Sequence, residues 1–246
     1  MSNVIVNAGC MLFFAQGVAA KLKKDVLDST LYTQLAATKK HDRFSATKQW
    51  NEVQLNAMTH FGWVMQSVET FNQPAPRGTP ETVWGWIAQV LPPFMPAAAF
   101  AEARTVAHEC FKADADQHGF DLFASQVSAV APSMMTGSAV VPSPPSPSAP
   151  DATPVVLQLG FVDPTATLYL VSLSFTRRQP LTPGFLFDPM QASDVLGNVD
   201  LTFRALRLQD MVYSLYRRTL DEKLQDRRSS LVAHLSGQRP TEGVNP

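Results

Sequence analysis

The sequence predicts an α+β fold, with N-terminal helices packed on a mainly antiparallel sheet formed largely by the C-terminal half. Three observations carry this. Leu27, Leu31 and Leu35 recur at steps of four in KDVLDSTLYTQLAATK, the spacing of one helical stripe. Residues 155–161 place Val155, Leu157, Leu159 and Phe161 on one face and 167–175 place Tyr169, Val171, Leu173 and Phe175 on one face, the period of strands. Helical patterns dominate before the middle of the chain and strand patterns after it, the order expected of α+β rather than of repeating βαβ units.

The elements follow in order. The helix over 24–39 ends in the charged turn KKHDRFSA, and Ser45 or Thr47 is placed to cap the next one. There Trp50, Val53, Ala57 and Phe61 fall on one side, and Gly62 stops the helix in the manner of a C′ glycine. WVMQSVETF, rich in β-branched and aromatic residues, reads as a strand beginning at Trp63. After the loop NQPAPRG, Thr79 and Pro80 form a start signal for a helix through VWGWIAQVL. Trp84 and Trp86 lie two apart in it, so both are buried only if that helix is covered on two sides. A further helix is expected from Ala97 to about Gln117, and DLFASQVSAVA reads as a strand. The pair VVLQLGF and ATLYLVSLSFT, joined at VDPT, is a hairpin, with Leu168, Leu170, Ser172 and Ser174 on the face opposite Tyr169 and Val171. VDLTFRAL is another strand, a helix follows over 209–225, and SSLVAHL is able to close the sheet. On that helix Arg217 with Asp221 and Arg218 with Glu222 stand at i, i+4, the pattern of a solvated charged face.

Between Pro142 and Pro154 there are six prolines, a composition that favours extended geometry and is excluded from a sheet interior. Cutting the chain here would give two domains. Strand patterns on both sides favour a single domain over 1–246, with a helix-rich half 1–131, a proline-rich loop 132–153 and a strand-rich half 154–246. MSNVIVNAGCMLFFAQGVAA lacks a basic start and is interrupted by Asn7, Gly9, Gln16 and Gly17, so it reads as part of the folded chain and not as a leader. No stretch of eighteen uninterrupted apolar residues suggests a membrane-spanning helix.

Charge narrows the function classes. Twenty basic and 21 acidic residues leave a net charge of −1, no field to gather phosphates, which argues against nucleic acid as a partner. The same balance removes the repulsion that keeps copies apart and so favours a homo-oligomer. Charged residues make up 17%, so the surface must be rich in neutral polar side chains.

Local catalytic signatures are missing. No glycine-rich phosphate loop, HExxH, GxSxG or CxxC occurs, and no cofactor or metal is expected. Cys10 and Cys110 stand a hundred residues apart, a spacing of two buried thiols or of one bridge, not of a zinc site. The densest reactive cluster is HECFKADADQH. On a helix Cys110, Asp114 and His118 form a row that could activate a thiol, with His108 on another side, and Cys110 is the candidate reactive residue. His41 with Asp42 in the turn KKHDRF is a second small polar group. His60 near a helix end and His234 in the terminal strand read as structural or surface residues.

The non-enzymatic features are more suggestive. All four tryptophans lie between 50 and 86, and several aromatics sit beside prolines. Interior packing explains them and is preferred. The competing reading is contact with a membrane surface or protein partner through Trp63, Trp84, Trp86 and Phe94, and through Arg177 and Arg178 beside Phe185 and Phe187. The expectation is therefore a non-enzymatic association protein, either a membrane- or host-interacting effector or toxin-like protein, or a self-assembling subunit. A hydrolase or transferase with a dispersed active site and a carrier of an apolar molecule such as a lipid are the alternatives.

Overall fold

The structure, a computed structural model, describes residues 3–74, 81–110, 117–129, 152–191 and 193–235. Seven strands are found there: β1 (Asn3–Asn7), β2 (Cys10–Phe14), β3 (Trp63–Pro74), β4 (Thr153–Val162), β5 (Thr167–Arg177), β6 (Val195–Leu208) and β7 (Val232–Leu235). They form one sheet in the order β3-β6-β5-β4-β2-β1-β7, antiparallel except where β2 runs parallel to β4. The helices are α1 (Ala20–Lys40), α2 (Thr47–His60), α3 (Val83–Val90), α4 (Ala97–Cys110), α5 (Gln117–Val127), α6 (Asp210–Ser214), α7 (Arg217–Leu224) and α8 (Arg228–Leu231). The fold is α+β, as the chain's patterning predicts, and four of the seven strands lie in the C-terminal half.

Side-chain alternation along the strands splits the core in two. On one face Ile5, Leu12, Phe14, Val162, Leu168, Leu170 and Leu206 pack with Val26, Met58, Tyr213 and Leu220, so α1, α2, α6 and α7 cover it. On the other, Val4, Met11, Phe13, Leu157, Phe161, Leu173 and Phe203 pack against Trp84, Ile87, Ala107 and Phe123 from α3, α4 and α5. A sheet buried on both faces explains why its central strands are almost continuously apolar.

The structure assigns an element to the N-terminal stretch and corrects several expectations elsewhere. The apolar stretch near the N-terminus is the β1–β2 hairpin, inserted between β4 and β7 and turned through Ala8 at φ 51°. DLFASQVSAVA is helical over most of its length, because Phe120, Phe123 and Val127 at i, i+3 and i+7 bury one helical face. The helix expected from Ala97 to about Gln117 is described as far as Cys110; residues 111–116, with Asp114 and Asp116, lie outside the described residues, as do Thr79 and Pro80 and positions 132–151 of the proline-rich loop, while Thr153 at its end begins β4. Neither Ser45 nor Thr47 caps α2; Asp42 Oδ1 instead accepts from the Phe44 and Ser45 amides at 3.0 and 2.7 Å, tightening the turn before it. The buried residues of α2 are Trp50, Gln54 and Met58, and Phe61 and Gly62 (φ +88°) end it.

Candidate functional site

The aromatic residues singled out from the sequence are brought together mainly inside the molecule. Trp84 and Trp86 are both buried, as coverage on two sides requires. The Trp84 ring stacks on Phe100 and Phe187 at 5.4 and 5.2 Å. Trp86 donates from Nε1 to Glu81 Oε2 at 2.5 Å and meets Phe175 edge-on. Phe94 stacks on Phe203 at 4.4 Å and Phe185 on Phe123 at 5.9 Å. Trp63 lies on the opposite face, its Nε1 donating to Ser29 Oγ at 3.1 Å. Arg177 is buried, and burial lowers its pKa while Asp194 and Asp188 oppose the effect; Arg178 is exposed.

The candidate reactive groups are scattered. Cys110 is buried at the end of α4 against β7, its Sγ 3.9 Å from the Leu235 carbonyl, and His108 is exposed with its ring against Phe187. His41 and Asp42 follow α1 on the other side of the sheet, where Asp42 shapes the turn. Cys10 and Cys110 are not bridged. His60 packs against Phe61 and Tyr216, and His234 is exposed on β7. Among the described residues no group of three or more His, Cys, Asp or Glu side chains is placed to hold a metal ion, and no helix is long and apolar enough to cross a membrane.

A different set of residues is gathered where α2 leaves the sheet. Register places Thr70, Thr202, Ser172 and Gln158 side by side across β3, β6, β5 and β4, with Asn72, Asp200 and Ser174 in the next row and Arg204 in the row before. All lie on the α2 side. Gln54 and Gln158 exchange hydrogen bonds at 3.0 and 2.7 Å, and Gln158 Nε2 also donates to Ser172 Oγ at 3.1 Å. This amide pair pins α2 to the sheet. Toward β3 no element among the described residues covers the sheet face, which is polar there.

The result is a cleft of about 440 Å³ between the first turns of α2 and the sheet. Thr47, Lys48, Asn51 and Glu52 supply its helical wall, and Ser172, Ser174, Asp200, Thr202, Arg204 and Thr70 its floor. The volume lies inside the ~300–1,000 Å³ usual for small-molecule sites. A recess of about 140 Å³ shares Thr47, Ser174 and Asp200 with it. No side chain caps the α2 N-terminus, so its first amides add positive potential on this side. Asp200 is engaged by Asn72 Nδ2 at 2.5 Å. Arg204 is not engaged: its Nε is buried without a hydrogen-bond partner among the described residues, and burial alone draws its pKa down. Asn51 Oδ1 is likewise buried without a partner.

Two other hollows are less apt. An apolar cavity of about 170 Å³ between α4 and the ends of β2 and β4, lined by Phe13, Phe161, Met95 and Ala99, falls below the small-molecule range. It is nearer the size of the ~150 Å³ apolar cavities that take one benzene-sized molecule than of a lipid site. A groove of about 520 Å³ between α1 and β7 has Lys24 and Arg228 on its wall, but Asp28 and Asp221 already neutralise both.

The sequence reading missed the cleft residues. Their signal was present as polar alternation, Ser172 and Ser174 in one strand and Asp200, Thr202 and Arg204 in another. Only the register between β5 and β6 puts those positions on one surface.

No protein-family model matches the chain, and no curated protein matches it. Among solved structures the chain is similar to the one described as "Structure of the Evf virulence factor", at 9% identity over 90% of this chain and 84% of that one, with a TM-score of 0.39.

Proposed function

We propose that the protein works by association, through the free edge of β3, and that its partner there is a second copy of the same chain. The observation that carries this reading is the edge itself, twelve residues that pair among the described residues only with β6 and contain one charge, Glu69. Edge strands are ordinarily kept from pairing by shortness, lysine or proline. At the opposite edge, β7 has four residues. On β3 the guards are a register shift between Met65 and Ser67 and a proline at position 74, which leave Ser67–Gln73 to pair. Two such segments running antiparallel across a two-fold axis can set Glu69 opposite Phe71 instead of opposite itself, so like charges do not face one another. The net charge of −1 adds no long-range repulsion. An effector that docks by strand addition and a self-assembling subunit would both use an edge of this kind.

Sedimentation equilibrium on the full chain tests the proposal. Val68 is 53% exposed on this strand, and Val68→Lys places an edge lysine there without touching the core. The wild type should form a concentration-dependent dimer and the variant should stay monomeric with the same melting temperature. A wild type that remains monomeric at every concentration overturns the reading.

One observation favours a second reading, contact with a lipid surface. Met211 and Leu215, one turn apart on and just after α6, are 86% and 76% exposed, and the Arg218 side chain beyond them is 92% exposed. Apolar tips next to an arginine suit an anionic membrane surface, although Arg218 also pairs with Glu222 at 2.8 Å. Co-sedimentation with phosphatidylserine vesicles should then occur and be lost in a Met211→Ser, Leu215→Ser double variant.

A further inference from the structure

A guanidinium withdrawn from water is costly unless charge or hydrogen bonds compensate it. The other buried or half-buried arginines among the described residues each have a charged or hydrogen-bonding neighbour, although Nε of Arg43 and of Arg177 is, like that of Arg204, buried without a partner there. Arg217 and Arg228 each grip a buried carboxylate with two nitrogens, Asp25 and Asp28, at 2.8–2.9 Å. Arg177 has Asp194 and Asp188 nearby. Arg43 donates to the Gly9 carbonyl at 3.1 Å and stacks over Trp50. Arg204 has none of these, yet it lines a polar cleft of about 440 Å³ beside a second orphaned group, the Asn51 amide oxygen. Unsatisfied buried groups call for an explanation, and two of them, on Arg204 and Asn51, line one cavity.

We propose that this cleft binds a small organic monoanion carrying several hydroxyl groups, a sugar acid of the hexuronate kind, with Arg204 as the partner of its carboxylate. The choice follows from the charges. Arg204 and Lys48 are balanced by Glu52 and Asp200, so the cleft as a whole is close to neutral. A polyphosphate or nucleic acid would meet two carboxylates and is repelled. A single carboxylate can take the planar fork of Arg204, which suits that geometry better than a spherical ion. The rest of the lining then matches a polyol. Glu52 and Asp200 accept from hydroxyls, while Thr202, Ser174 and Thr70, neighbours in the register rows, both donate and accept. The volume of about 440 Å³ leaves room for one ring and its ordered water.

The site is independent of the β3 edge, since pairing at that edge extends the sheet in its own plane and leaves the α2 side open. Isothermal titration of the full chain with sodium glucuronate and galacturonate, and with glucose and inorganic phosphate as comparison probes, tests it. At least one uronate should bind saturably, glucose and phosphate at least tenfold more weakly, and Arg204→Gln should lose at least tenfold in uronate affinity with its circular dichroism unchanged. Should that variant not fold, Thr202→Val with Ser174→Ala, which removes two hydroxyls and leaves the charge, must weaken uronate binding by a similar factor. No uronate binding to the wild type overturns the proposal. So does a folded Arg204→Gln chain that binds as the wild type does, a hydroxyl-deleted chain that binds unchanged, or phosphate or glucose binding as tightly as the uronates.

Discussion

Gly9 occupies the tip of the β1–β2 hairpin with Arg43 lying against it. A Cβ there would fall 1.7 Å from Arg43 Nη1, and that guanidinium cannot simply swing aside. It is held by the Gly9 carbonyl at 3.1 Å and by Trp50, whose ring centroid is 4.4 Å away. Gln34 completes the lock, accepting from the Gly9 amide at 3.1 Å and donating to the Asn7 carbonyl at 3.0 Å. Gly9→Ala should therefore destabilise by about 1–3 kcal/mol, the usual cost of overpacking, as measured by urea unfolding. The neighbouring thiol is controlled by the same packing. Burial pushes Cys10 up to about 12, with Arg43 opposing, while burial draws Arg43 down to about 10. At pH 8 the thiol is neutral and the guanidinium charged. A thiolate is the reactive form, so Cys10 should react with a disulfide reagent at pH 8 far more slowly in the native chain than in urea. Rapid native labelling, mapped to Cys10 by peptide mass, would contradict that assignment. Because a raised thiol pKa favours the neutral form in the folded chain, its contribution to stability is full below the unfolded thiol pKa and is lost as pH rises toward 12.

At the scale of elements, α1 is held to α7 and α8 by charge. Asp25 and Asp28 are buried on α1 and bound bidentately by Arg217 and Arg228, and Lys21, Lys24, Asp210 and Asp221 surround them. Removing one buried partner strands the other, so Asp28→Ala should cost about 3 kcal/mol, the low end for a broken buried pair because the Arg228 side chain is 30% exposed. The outer carboxyls set the pH response. Hydrogen bonds from Lys21 and then Arg217 hold Asp210 below the usual carboxylate range, and those from Lys24 and then Arg228 do the same for Asp221. Their stabilisation is present above the unfolded aspartate pKa of about 4 and is lost as pH falls through the lower folded values. Thermal melts should thus be flat with respect to these groups near neutrality and decline in acid.

This network also marks what the sequence could not convey. The leucines of α1 announced a helix, yet its buried positions include Asp25, Asp28, Ser29, Thr30, Thr33 and Gln34: Ser29, Thr30 and Thr33 bond to carbonyls one turn back and Gln34 to the β1–β2 hairpin, while the arginines that make the two aspartates tolerable come from about two hundred residues away. Arg218 and Glu222 do pair at i, i+4, whereas Arg217 turns from Asp221 to Asp25 and Asp210. The β4–β5 hairpin was legible from alternation, and β3 and β6 from composition. The β1–β2 hairpin was not, since strands buried on both faces lose their alternation. The cleft was half legible: its polar positions are visible in β5 and β6, but their meaning depends on where α2 ends its cover.

For the molecule as a whole, helices on both sides of the sheet decide what the tryptophans can report. Trp50, Trp63, Trp84 and Trp86 are 0%, 0%, 3% and 4% exposed, split between the two faces. The two exposed apolar side chains that could meet a lipid surface, Met211 and Leu215, lie on a segment without tryptophan. Tryptophan emission should consequently be blue in buffer and stay so when phosphatidylserine vesicles are added, even under conditions where the chain co-sediments with them. Dimerisation through β3 should leave it unchanged as well, because Trp63 at the head of that strand points into the α1 core and donates to Ser29. Only unfolding should move the emission to the red. A vesicle-dependent shift in the native chain would mean that α3 or α2 leaves the sheet to expose an indole, and the two-sided core would then be one state of the molecule among others.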